Sequence, residues 1–306
     1  MKFNKCLFFA GMLILSPLAV AQYDTSWDNS RGINQISPNV YRYGAGGSIS
    51  GLFIPTSEGI ILVDGPASPC EPGAGQWLKD ELDERFGVPV RYVVLSHDHQ
   101  SHICGTDAFK DTAVAIGHKK IRPHMLREGR LGAIPTVTFE DSMDIDLGGI
   151  KVSLHYFGPS HSDNLIATHI PQDGVLFIPD LSRPEGQLPN PDFRDMEVDS
   201  AIEVLGELGK MYEVDIVVPS HGSPVATQAY FHRYREYLIA LRERVLDHMI
   251  EDMSLYEILE VVTMEDFSDY TNLEQNLERN VTTMYDYLYR YREPNNPGGL
   301  PIRAPQ

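Results

Sequence analysis

LSHDHQSHICG, residues 95–105, places three histidines, His97, His99 and His102, within six positions, directly after the apolar run at residues 88–95. The run reads as a buried strand and the polar residues after it as the loop leaving its end. Three further segments repeat the arrangement. GPSHSDN carries His161, LFIPDL carries Asp180 and VVPSHGSP carries His221, each at the exit of an apolar run. Loops leaving several strands can converge on one sheet edge, which suits a site better than a core. Imidazole and carboxylate are good ligands for Zn²⁺ and related ions, and a catalytic site leaves one position open for water. His97 and His99, two apart in an irregular loop, can both turn to one ion, while His102, at the start of the next helix, can face a neighbouring ion.

Working outward, residues 39–64 alternate short β-rich runs with Gly-rich turns, which reads as antiparallel strands. Helix and strand then alternate. Helices are expected at residues 74–85, 118–127 and 200–211, and strands at 88–95, 113–116, 136–139, 150–157, 164–170, 174–178 and 215–218. From residue 226 to 292 the chain is mostly helical and charged, with apolar residues at helical spacing, Tyr285 and Tyr289 among them, that read as core-packing faces. The expected organisation is a main domain at 22–225, a helical segment at 226–293 packed on it, and a flexible tail at 294–306.

The spacing His97-x-His99-x-x-His102, followed by His161, Asp180 and His221, resembles the metallo-β-lactamase-fold superfamily over about residues 40–224. The upstream ILVDGP, with Asp64 closing a strand, is similar to that family's first motif. The resemblance implies an α/β fold, an αββα four-layer sandwich, with one or two metal ions between the loop edges of its two sheets. Carried over, His97, His99 and His161 would hold a first metal, His102 and His221 a second, and Asp180 would bridge them. Asp64 would brace the metal loop without touching the metal.

One position departs from the family pattern. Where His-x-His-x-Asp-His is usual, Ser101 stands in place of the Asp, and a hydroxyl is a far weaker ligand than a carboxylate. The second ion thereby loses a charged contact, and the hydrolytic water loses a proton acceptor. Asp98, Gln100 and Cys104 are the neighbours able to compensate, although Asp98, between two inward-facing histidines, is expected to point away. Ser101 would position water. The reading that follows is a zinc-dependent hydrolase delivering hydroxide from the metal to an ester, amide, thioester or lactone-type bond of a small molecule. The alternatives are a mononuclear iron oxygenase of sulfur compounds, as some superfamily members are, and a degenerate metal- or ligand-binding protein without turnover. His99 in place of a Glu disfavours a flavodiiron-type redox site. Zinc β-lactamases often carry Cys at the position of Asp180, so the fold by itself says little about β-lactams. The loop at 179–191 and the acidic helical segment are expected to shape the pocket.

The chain's beginning suggests export. Lys2 and Lys5 precede an apolar run that closes on Ala19-Val20-Ala21, the shape of a signal peptide at residues 1–21 cleaved before Gln22, which implies a periplasmic or secreted protein without membrane insertion of the mature chain. Removal of the two lysines, with no acid before Asp24, takes the net charge from −18 to −20, which disfavours nucleic acid as a partner. Cys70 and Cys104 would remain; they could be disulfide-bonded or buried free thiols, or Cys104 could face the metal. His118, His124, His155, His169, His232 and His248, isolated in expected helices and strands, are read as packed or solvated side chains.

Overall fold

The computed structural model describes residues 23–66, 70–189, 191–194, 196–223 and 225–290; the expected signal peptide and tail lie outside them. Strands β1 (Arg31–Gln35), β2 (Tyr41–Ala45), β3 (Gly51–Thr56) and β4 (Gly59–Val63) form an antiparallel meander. Helix α1 (Ala74–Phe86) then crosses over to β5 (Val90–Val94), which runs parallel to β4. The short helix α2 (Gln100–Ile103) leads to β6 (Val114–His118), helix α3 (Ile121–Glu128) and β7 (Val137–Phe139), completing a seven-stranded sheet. Strands β8 (Ser142–Leu147), β9 (Ile150–His155), β10 (Ala167–Ile170), β11 (Val175–Phe177) and β12 (Ile216–Val218) form a second sheet of five, with α4 (Val198–Leu208) between its last two strands. Helices α5 (Ala229–Ile250), α6 (Leu255–Val261) and α7 (Leu273–Arg290) follow.

Side chains alternate across a strand, so the apolar runs of β3–β5 and β9–β12 serve two faces at once. Leu52, Ile54, Ile61, Val63 and Val94 meet Val152, Leu154, Ile166, Val175, Phe177 and Val218 between the sheets. Their neighbours Phe53, Leu62 and Val93 pack outward under α1 and α3, while Leu176 and Val217 pack under α4, α5 and α7. The order is helix, sheet, sheet, helix, the expected four-layer sandwich, with the C-terminal helices thickening its last layer. Among the described residues no helix is long and apolar enough to cross a membrane.

Two strands escaped the sequence reading. β1 is a polar edge strand with only partly buried positions, and β8, SMDIDL, buries Ile145 and Leu147 while exposing Asp144 and Asp146. His118, placed by sequence in a helix, is the last residue of β6, its buried ring stacked 3.9 Å from Tyr156. The two cysteines are bonded: Cys70 and Cys104, with Cα atoms 5.4 Å apart, form a disulfide, which removes both the free-thiol and the metal-facing readings of Cys104. It closes a 34-residue loop between the end of β4 and the metal-loop helix α2, a constraint worth about 4 kcal/mol of unfolded-chain entropy.

Candidate metal centre

The C-terminal ends of β5, β9, β11 and β12 face one edge of the sandwich and deliver the expected side chains there. Asp180 is the centre. A tight turn closed by Leu181 N–H donating to the Pro179 carbonyl (2.7 Å) holds Asp180 at φ 61°, a left-handed conformation that Asp tolerates better than most residues. Its Oδ2 lies 3.0 Å from His102 Nε2 and 3.3 Å from both His97 Nε2 and His161 Nε2, and its Oδ1 lies 2.9 Å from His221 Nε2. His99 Nδ1 lies 3.1 Å from His161 Nε2. Two groups result, each with its donor atoms within 4.8 Å of one another: His97, His99, His161 and Asp180, and His102, Asp180 and His221.

These residues fit a metal. His97 Nε2 and His102 Nε2 are fully buried and, among the described residues, have no hydrogen-bond partner beyond the Asp180 carboxylate that both face. Buried polar atoms are seldom left so. Two donors about 2.0–2.1 Å from one ion at a tetrahedral angle sit about 3.3 Å apart, the scale of the separations around Asp180 Oδ2. Charge agrees with geometry. Burial lowers the His97 imidazole well below its usual range and His161 to about 4, so both are neutral donors at pH 7. Burial alone would also depress His102, but Asp180 and Asp64 outweigh it and lift it to about 10. Burial would raise Asp180, yet His102 beside it, with His161 and the hydrogen bonds of His102 and His221, holds it well below the usual carboxylate range.

Asp64 braces this edge through hydrogen bonds. At the end of β4, with φ 64°, it accepts hydrogen bonds from Ser96 N–H and Ser96 Oγ (both 2.8 Å) and lies 3.1 Å from His102 Nδ1. Ser96 Oγ in turn sits 2.9 Å from His97 Nδ1. One carboxylate therefore orients two histidines and leaves their Nε2 atoms aimed at the site.

None of the three neighbours of Ser101 replaces the missing carboxylate. Asp98 turns away to Arg130 (2.9 Å) and Asn164 (2.8 Å), Gln100 spans to both main-chain groups of Leu131, and Cys104 is in the disulfide. Ser101 itself is half-buried in the first turn of α2. The other six histidines stand outside both donor groups.

Two arginines of the site went unread in the sequence. A cavity of about 220 Å³ over the cluster is lined by His99, His161, Asp180 and His221 and by Arg183, Asp192 and Met196. Among the described residues Arg183, three residues after Asp180, makes no salt bridge, and its Nε is buried without a partner. Burial lowers its pKa while Asp180 holds it up. Its only sequence signal is its distance from Asp180. Arg42, on β2, is completely buried and donates to the carbonyls of Pro219 (3.1 Å) and Gly222 (2.7 Å), on either side of His221, and to Ser50 Oγ (2.8 Å).

The helical segment acts on the pocket through the loop, not by lining it. Asn280 Nδ2 and Thr283 Oγ1 of α7 donate to the Pro191 carbonyl (2.8 and 3.2 Å), Thr283 Oγ1 accepts from Phe193 N–H (3.2 Å), and Arg279 and Arg194 both pair with Asp192. Asn272 takes both main-chain groups of Leu188 (2.8 and 3.0 Å). The wall carrying Asp192 is thus fastened to α7.

Comparison with known proteins agrees with this architecture. Residues 47–221 match the family model of the metallo-beta-lactamase superfamily. A metallo-beta-lactamase type 2 of Bacillus cereus is 24% identical over 202 residues, covering 62% of this chain and 76% of that protein. A linear primary-alkylsulfatase of Pseudomonas sp. (strain ATCC 19151) is 25% identical over 69% of this chain, which spans 49% of that longer protein. The solved structure of a metallo-beta-lactamase from Pontibacter korlensis superposes with a TM-score of 0.60 at 21% identity, over 69% of this chain and 99% of that one, a likeness of fold. The chain belongs to the metallo-β-lactamase superfamily.

Proposed function

We propose that this protein is an exported, periplasmic or secreted, metal-dependent hydrolase, zinc its expected metal, that cleaves an ester, amide, thioester or lactone-type bond in a small molecule bearing an anionic group. The observation that carries this reading is the convergence of five histidines around Asp180, two of them with buried imidazole nitrogens that lack any other partner among the described residues. His97, His99, His161 and Asp180 would hold the first ion; His102 and His221, with Asp180 shared, would hold a second. A bound divalent cation supplies Lewis-acid stabilisation of the developing oxyanion and brings a coordinated water to a pKa of about 7. The chain's own residues do the rest. Asp64 and Ser96 keep the histidines in one tautomer, Ser101 offers a hydroxyl to a water, and the Arg183 guanidinium, which makes no salt bridge among the described residues, attracts the substrate's anion to the cavity and fixes its register.

Metal analysis of protein prepared without chelator tests the reading: zinc at one or two ions per chain supports it, iron with oxygen consumption favours an oxygenase, and no metal sinks it. Ser101→Asp supplies the carboxylate absent from the second group, so a rise in zinc per chain is expected; unchanged content means that three donors already suffice there. Against a panel of carboxylate-bearing esters, lactones and β-lactams, Arg183→Leu is expected to raise KM by about tenfold to a hundredfold, the loss of one charge-assisted contact. An unchanged KM removes the anionic group from the proposal while leaving the hydrolase intact.

A further inference from the structure

The three histidines of the first group come from two loops on different sheets. His97 and His99 leave β5, and His161 leaves β9, so something must fix one loop against the other if their nitrogens are to meet one ion. We propose that Asn164, with Asp98 and Arg130, is that device: a positioning unit that locks the two loops into one rigid ligand set. This rests on the metal-centre reading above.

The contacts are reciprocal. Asp98 N–H donates to Asn164 Oδ1 (3.0 Å), and Asn164 Nδ2 donates back to Asp98 Oδ1 (2.8 Å) and to Asp163 Oδ1 (2.8 Å). Arg130 takes the other carboxylate oxygen, Oδ2, at 2.9 Å and also donates to the Asp98 carbonyl. Asn164 is 1% exposed and Asp98 5%. Asp98 stands between His97 and His99, and Asn164 three residues after His161, so a shift of either loop breaks a pair of bonds shielded from water, where an unmade bond is costly. A main-chain bond from Ile166 N–H to the Ser96 carbonyl (2.9 Å) ties the same loops once more.

Arg130 belongs to a short segment that follows the metal loop along its length. Leu131 N–H donates to Gln100 Oε1 (2.8 Å) and Ala133 N–H to Thr106 Oγ1 (2.8 Å). At Gly132, with φ 147°, a Cβ would meet the Ile103 carbonyl oxygen at 2.5 Å, so only glycine allows this approach. The carboxylate at 98 that sequence proximity offered to the metal thus serves the metal indirectly.

The test is cobalt titration of chelator-stripped full-length protein, reading affinity and the visible Co²⁺ spectrum. Asn164→Leu is expected to weaken cobalt binding about tenfold to a hundredfold and to shift the visible bands, because the donor geometry itself relaxes. Asp98→Asn, which can still accept from Asn164, is expected to restore most of the affinity that Asp98→Leu loses. Should the leucine variants fail to fold, Asn164→Ser, which fits the same space but cannot reach both groups of Asp98, carries the same prediction. Wild-type cobalt affinity and spectrum in a folded Asn164 variant overturn the proposal; a wild-type protein that takes up no cobalt overturns the metal-centre reading instead.

Discussion

Asp180→Asn protein is expected to fold, to lose metal-dependent hydrolysis by a factor on the order of 10³, and to retain metal far more weakly than wild type at both positions. The substitution isolates charge from shape. Asn tolerates the left-handed backbone at φ 61° about as well as Asp does, so the turn between Pro179 and Leu181 survives. What disappears is the only carboxylate among the six donors, the group within 3.3 Å of four histidine nitrogens. With Ser101 in place of the family's Asp, no second carboxylate stands among the donor atoms to offset a divalent ion. In the metal-free variant, the His102 proton loses one of its two carboxylate partners, and its pKa should fall from about 10. Full turnover by Asp180→Asn, with metal content unchanged, would falsify the assignment of this side chain as a ligand.

Arg42→Met is expected to lower stability by about 2–4 kcal/mol and to weaken the second metal equivalent at least about tenfold, with the first retained. The guanidinium is wholly buried, and among the described residues no carboxylate pairs with it. Burial depresses its pKa to about 10, so it remains a cation at neutral pH, its charge met by carbonyl dipoles and by the Trp27 ring 5.5 Å away. Removing a buried charge can itself be favourable. Here the carbonyls of Pro219 and Gly222 would be left dry and unpaired, and the segment holding His221 would keep its ties to Ser50, whose N–H and Oγ donate to the Ser220 carbonyl (2.8 and 3.0 Å), and to Trp27, whose N–H donates to Ser223 Oγ (2.6 Å). Denaturant unfolding reads the first effect and zinc titration the second; a variant with wild-type stability and two unaltered zinc affinities would show that β2 does not control His221.

Some of this protein is written locally. The apolar runs at β3–β5 and β9–β12 need two buried faces, which leads to stacked sheets, and His97, His99, His102, His161, Asp180 and His221 declare themselves by residue type at strand exits. Asp98 could be assigned an outward direction because alternation along an extended loop turns it from its two neighbours. β8 was less legible, since Asp144 and Asp146 dilute its apolar face, and β1 is an edge strand with little to bury.

Other features exist only when the chain is folded. Whether Cys70 and Cys104 bond depends on a 5.4 Å Cα separation across 34 residues, and spacing along the sequence does not encode such a distance. Arg183 and Arg42 look like ordinary surface arginines until burial strips them of carboxylate partners and leaves one aimed at the cavity and the other gripping the turn at His221. The helical segment reads only as amphipathic helices; that α7 fastens the pocket wall at Pro191 and Asp192 follows from where its polar side chains arrive. Residue type and strand pattern, properties of the sequence itself, determined which side chains could bind metal. Tertiary packing, by choosing directions and partners, decided which of their neighbours hold those ligands in place.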